Sequence, residues 1–171
     1  MKLADAIAEL LVAAGCRHAF GIVGGANLAI FAALARRVEV VACHHEQAAA
    51  MAGAYYWRTC GRLAPVLVTA GGGTMNAMTG VMAAWHDSVP LLVISGNEKS
   101  SAFAAPHRRA AGFQGFDPCP IVRPFVKGAW QPQDRAQALA ALGEAIPLAC
   151  TPRRGPVWLD ICQDIANEMG E

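Results

Sequence analysis

Leu91-Leu92-Val93-Ile94-Ser95 runs without a charge or a turn former, and it narrows the possible folds more than any other stretch of the chain. A strand with one wet face alternates apolar and polar residues. An unbroken apolar strand has to be covered on both faces, as parallel strands beneath helical layers are. The rest of the chain offers such layers. Helical periodicity marks residues 3–15, 26–37, 46–60, 74–85 and 133–149, and short strand-like runs mark 18–23, 38–42, 64–69, 125–130 and 156–161. Gly15 and Gly61 read as helix stops, and Asp87-Ser88-Val89-Pro90 as a turn after the fourth helix. This alternation predicts an α/β fold: a three-layer sandwich with a mainly parallel, doubly wound sheet, in a single domain over residues 1–171. Residues 96–120 break the pattern, and an irregular segment of that length in a compact domain is usually functional or poorly ordered.

Composition removes several classes of partner. The 171 residues carry a net charge of +1, and only 16% are charged, so no basic stripe or acidic tail points to nucleic acid or a membrane surface. A surface so poor in charge leads to the expectation that another chain covers part of it. The six cysteines are scattered without a CxxC pair or zinc spacing, the pattern of reduced thiols in a cytoplasmic protein, and no metal ligands are assigned. Leu3, Ile7, Leu10 and Leu11 line one face of the first helix. Asp5 and Glu9 interrupt any signal-peptide core, and no apolar stretch has the length of a membrane span.

Chemistry concentrates where strands end. Gly21-Ile22-Val23-Gly24-Gly25-Ala26-Asn27 and Thr69-Ala70-Gly71-Gly72-Gly73-Thr74-Met75-Asn76 are glycine turns that follow strands, and open α/β sheets bind ligands at such edges. The second turn nearly matches a dinucleotide fingerprint. Asn76 stands in place of the last glycine, however, and no ribose-binding acid ends the next strand. Glu46 opens the third helix after Cys43-His44-His45, where the helix dipole alone already favours an acid. Adjacent histidines in a strand point to opposite faces, which argues against a metal pair, and His44 reads as a hydrogen-bonded structural residue. His107, Arg108 and Arg109 lie in the irregular segment, as solvated loop residues or as a hold for an anionic group. Tyr55, Trp57 and Trp85 read as core or subunit-contact residues.

Taken in order, these motifs resemble a known family. Phe20-Gly21-x-x-Gly24-Gly25-Ala26-Asn27, His45-Glu46-Gln47-x-Ala49-x-x-Ala52, Thr69-x-Gly71-x-Gly73-x-x-Asn76 and Thr79-Gly80 are similar to the pyrimidine-binding domain of thiamine-diphosphate enzymes. The likeness continues through Asp87-Ser88-Val89-Pro90, Ile94-Ser95-Gly96, Phe113-Gln114, Arg123-Pro124-x-x-Lys127 and Arg154-Gly155-Pro156-Val157-x-Leu159-Asp160-Ile161. It is strongest to the N-terminal domain of acetolactate synthase and its 2-oxo-acid relatives. The resemblance implies thiamine diphosphate as cofactor and Glu46 as the catalytic carboxylate that hydrogen-bonds the aminopyrimidine ring. A carboxyl group withdrawn from water can share a proton with a ring nitrogen, and the cofactor then serves as electron sink. By the same likeness Gly24, Gly25 and Ala26 approach the reacting centre and Thr69, Gly71, Gly72 and Asn76 pack at the pyrimidine. Phe113 and Gln114 face the substrate.

Three departures bear on substrate rather than on coenzyme. Gly72 stands where many acetolactate synthases carry proline, His44 where arginine is common, and Gly115 where glutamate is usual. The chain has no Gly-Asp-Gly motif of the kind that holds Mg²⁺ and the diphosphate in relatives. The resemblance therefore implies a split enzyme of the sulfopyruvate decarboxylase type. A diphosphate-binding subunit on a partner chain would hold Mg²⁺, in a heterodimer or heterotetramer that decarboxylates a small 2-oxo acid or uses it in carboligation. A fragment of a full-length synthase, a non-catalytic domain that regulates or scaffolds a partner, and a dinucleotide-binding oxidoreductase domain remain the alternatives.

Overall fold

A computed structural model describes residues 1–104 and 109–170. The elements alternate as α1 (Leu3–Ala13), β1 (His18–Gly21), α2 (Leu28–Ala35), β2 (Glu39–Ala42), α3 (Glu46–Cys60), β3 (Val66–Val68), α4 (Gly72–His86) and β4 (Leu91–Asn97). They continue with a 3₁₀ turn at Ser100–Phe103, α5 (Cys119–Val122), a 3₁₀ turn at Arg123–Phe125, β5 (Ala129–Trp130), α6 (Arg135–Cys150), β6 (Pro156–Cys162) and α7 (Gln163–Ala166). The six strands form one sheet in the order β2-β1-β3-β4-β6-β5, and every pairing is parallel. The expected doubly wound sandwich is the observed fold.

Strand periodicity explains the two layers of core. Leu92 and Ile94 of β4, Leu67 of β3, and Val157, Leu159 and Ile161 of β6 face α1, α2, α6 and α7. Their alternates Leu91, Val93, Val66, Val68 and Trp158 face α3, α4 and α5. Every residue of β4 and β6 is buried, as the unbroken apolar run demanded. Each fully buried Leu, Ile or Val contributes on the order of 1.5–3 kcal/mol relative to exposure. Crossovers toward the β5 edge pass over the α3–α5 face and those in the opposite direction over the other, as right-handed connections require.

The boundaries moved mostly at the sheet's carboxyl edge. The second glycine turn is shorter than its sequence suggests: Gly71, at φ 72°, is the cap, while Gly72 and Gly73 already belong to α4. Strand β5 is only two residues long, because Arg123–Phe125 forms a 3₁₀ turn instead of extending it. Helix α2 starts at Leu28 and not at Ala26, since Asn27 is committed to the preceding loop. Helix α7 has too few residues to show a period. Gly15 (φ 89°) follows α1, and Gly61 (φ 68°) caps α3 with its N–H on the Trp57 carbonyl, so both stops act as read. All six cysteines are free, and no described helix is long and apolar enough to cross a membrane.

Candidate functional site

Strand order reverses between β1 and β3. The chain leaves β1 for α2 on one face and leaves β3 for α4 on the other, so a crevice opens at their carboxyl ends. The loop after β1 is stitched by one buried side chain. Asn27 Oδ1 accepts the Gly24 N–H at 2.8 Å, and its Nδ2 donates to the Ile22 carbonyl at 2.9 Å. Gly96 on β4 lies directly beneath, where any Cβ would strike the Ala26 carbonyl. A Cβ at Gly24 would fall 2.5 Å from Thr69 Oγ1, so the first loop is pressed against the end of β3.

Glu46 is the first residue of α3, and the His45 side chain caps that helix by accepting the Gln47 N–H at 3.2 Å. Glu46 is 7% exposed. Its Oε2 accepts from Asn76 Nδ2 at 3.0 Å. Its Oε1 has no donor among the described residues, and it faces Gly73 so closely that a Cβ there would sit 3.0 Å away. Helix packing sets this register. Ala50 lies one turn after Glu46, and Gly80 lies one turn after Asn76. A Cβ on Gly80 would come 2.6 Å from Ala50 Cβ, so the helices meet at the minimum separation that glycine allows.

The other wall is the segment after β4. Gln114 Nε2 donates to the Ala70 carbonyl at 2.9 Å, and its backbone lies against Gly71. A cleft of about 310 Å³ runs between Gly25, Ala26 and Thr69 on one side and Glu98, Phe113, Gln114 and Gln163 on the other. The expected site residues thus fall into two groups joined by Thr69: the carboxylate nest of Glu46, Gly73 and Asn76, and the open cleft. Phe113 borders the cleft but is 99% exposed, so it forms a rim and not a packed wall. Gly72 is exposed at the start of α4.

Several readings change. His44 is exposed and has no hydrogen bond among the described residues, whereas His45 does the structural work expected of it. Asp87 caps α4 and pairs with Arg58 at 2.6 Å, which bears out its turn reading. Arg109 is exposed; His107 and Arg108 lie outside the described residues. Trp85 and Trp57 are half-buried beneath Arg153 and Arg154, and Tyr55 is exposed beside Arg58.

The site also takes in Gly73, Asn27, Glu98 and Gln163, to which the motifs assign no role. The spacing Gly73-x-x-Asn76 places both on one helical face and would have brought in Gly73. Glu98 and Gln163 carry no local signal. They meet because Asn97 pairs with Cys162, so the residues that follow the two strands emerge together.

Comparison with known proteins agrees with the fold. Residues 1–119 match the family described as thiamine pyrophosphate enzyme, N-terminal TPP binding domain. The acetolactate synthase large subunit of Buchnera aphidicola subsp. Schizaphis graminum is 36% identical, over 98% of this chain and 29% of its own length. The acetolactate synthase isozyme 3 large subunit of Escherichia coli is 35% identical over 96% and 28%, and acetolactate synthase 1, chloroplastic, of Zea mays is 35% identical over 98% and 26%. The chain spans under a third of the length of these relatives.

Proposed function

The chain belongs to the thiamine pyrophosphate enzymes, as their N-terminal TPP-binding domain, and we propose that it supplies the pyrimidine half of the cofactor site in an enzyme acting on a 2-oxo acid. The observation that carries this reading is the half-satisfied carboxylate. Asn76 fixes Oε2 of Glu46, while Oε1 has no donor among the described residues and lies over a glycine-floored space. A flat heterocycle with a ring N–H fits such a place, because nothing projects from Gly73 to hold it off.

In this reading Glu46 holds or shares a proton at the pyrimidine ring nitrogen, and its burial keeps bulk water from competing for that proton. Asn76 orients the carboxylate, and Thr69 and Gly71 shape the floor. Gly24, Gly25 and Ala26 bring backbone close to the reacting carbon, and Gln114 borders the substrate. Bound thiamine diphosphate supplies the electron sink that a 2-oxo acid needs to lose CO₂ or to join a second carbonyl. The diphosphate and Mg²⁺ fall to a diphosphate-binding subunit on a partner chain. The exposed Tyr55, Met75 and Met82 of α3 and α4 support such a contact, since all three lie on the helices that carry Glu46 and Asn76.

The test is co-expression with the diphosphate-binding subunit encoded nearest to it. Cofactor binding is then measured by calorimetry, and CO₂ release from a panel of 2-oxo acids is followed. A complex that binds thiamine diphosphate only when both chains are present is the expected result. Failure to form a complex with any diphosphate-binding chain overturns the two-chain arrangement.

A further inference from the structure

Asp160 is completely buried, and no step above uses it. It lies on β6 beside the end of β4, on the same face as Trp158. Ser95 Oγ donates to its Oδ1, while Asn97 Nδ2 at 2.7 Å and Gln131 Nε2 at 2.9 Å donate to its Oδ2. Behind Ser95, the Trp158 indole N–H donates to the hydroxyl oxygen at 2.8 Å. An aliphatic side chain would fill this place without the cost of burying a charge, which is several kcal/mol for an ion taken from water. The carboxylate is instead surrounded by donors that lead outward.

Asn97 carries the connection. Its amide nitrogen also donates to the Phe116 carbonyl at 2.7 Å, and its Oδ1 accepts the Glu98 N–H at 2.9 Å. Rotating Asn97 away from Asp160 would therefore release both the cleft residue Glu98 and the loop that closes the cleft. That loop rests on Glu98, whose Oε1 accepts the Gln114 N–H at 3.4 Å and whose side chain lies close under Gly112 and Gly115. Ala111 and Gly115 exchange two backbone hydrogen bonds at 2.8 Å, and Gly112, Phe113 and Gln114 are exposed. Gln114 is tied to the Ala70 carbonyl at one end of the loop, and Phe116 is tied to Asn97 at the other.

We propose that Asp160 is a positioning residue: through Asn97 it anchors residues 111–117 and Glu98, and so sets the substrate side of the cleft. The cleft's catalytic meaning rests on the function proposed above; the anchoring does not. Burial pushes the Asp160 carboxyl up to about 6, with Asp117 of the same loop adding to the rise against the three donors. Cys119 of α5 and Cys162 of β6 also feel the Asp160 charge, and burial first of all raises both thiols to about 12. The anchor is accordingly charged at neutral pH.

The experiment compares amide hydrogen exchange in the wild-type chain, Asp160→Asn and Gln131→Ala. Asp160→Asn keeps the side-chain size but turns one acceptor into a donor. Exchange at Ala111 and Gly115 should rise roughly tenfold or more in it, as expected for loss of a hydrogen bond to a charged group. Amides of β1 and β3 should not change. The Trp158 indole N–H resonance should move as pH falls through about 6 in the wild type and stay still in Asp160→Asn. Gln131→Ala, at the half-buried sheet edge, should raise loop exchange in the same direction by about threefold, and it serves if Asp160→Asn does not fold. Loop exchange that is unchanged in a folded variant overturns the proposal. In the assembled enzyme, Asp160→Asn should raise the substrate KM more than it lowers kcat. If the chain proves to have no such activity, only this last arm is lost, and the exchange and indole readouts still decide the anchoring.

Discussion

Two carboxylates lie near the carboxyl edge of the same sheet, both withdrawn from water, and their surroundings differ in one respect. Asp160 has both oxygens taken, by Ser95 on one and by Asn97 and Gln131 on the other. Glu46 has one oxygen held by Asn76, and the other faces glycine. The first holds its neighbours in place, because both oxygens are engaged and the side chain is completely buried. The second is oriented but incomplete, which is what a ligand-binding carboxylate needs. Burial is common to both carboxylates; the number of donors already engaged is what differs.

The sharpest way to break this contrast is to remove the ionisable group from the open site. Glu46→Gln keeps the shape and should lower turnover of the assembled enzyme by roughly 10²–10⁴-fold, the usual worth of a positioned acid or base. Thermal unfolding should be nearly unchanged. Near-normal steady-state rates in that variant would remove Glu46 from its role.

At Asp160 the expected effect is on stability. Its carboxyl is raised from 3.8 to about 6 in the folded chain, so the folded state binds the proton more tightly than the unfolded one. Below pH 3.8 both states are protonated, and the group contributes nothing. As pH rises from 4 through 6 the folded state loses stability, by about 3 kcal/mol once the group is fully ionised. Urea titrations at pH 4 to 7 should show the wild type losing ground to Asp160→Asn over that window. Parallel profiles for the two proteins would mean that Asp160 does not titrate there.

A smaller effect is expected at Asn76→Ala. Oε2 of Glu46 loses its donor, which should cost about tenfold in kcat/KM while α4 stays folded, since a bond to a charged group is worth roughly 1.5–3 kcal/mol at most. An unaffected kcat/KM would show that α3 alone orients the carboxylate. The smallest effect belongs to His45→Ala, which removes a helix cap with a 3.2 Å bond and should cost about 0.5–1 kcal/mol in chemical denaturation. A larger loss would mean that the cap also holds Glu46.

Much of this molecule is legible locally. The apolar run at 91–95, the glycine stops at 15 and 61 and the strand-to-helix position of Glu46 follow from patterns a few residues long, because strand and helix periods and left-handed glycine positions are local properties. Short elements escape that reading: β5 has two residues and α7 has four, too few to show a period. The segment after β4 escapes it for another reason. Its order comes from a carboxylate more than 40 residues further along the chain, acting through Asn97.

Residue pattern by itself therefore specified a doubly wound parallel sheet with glycine turns and one acid at its edge, and motif order pointed to the thiamine-diphosphate family. Which oxygen of Glu46 is held and which is open, that Gly73 floors the space before it, and that Glu98 and Gln163 meet across β4 and β6 were settled by tertiary structure alone. These depend on how far apart α3 and α4 stand and on the register of paired strands. Both are set by close packing between segments 30 to 65 residues apart, a distance over which no local period carries information.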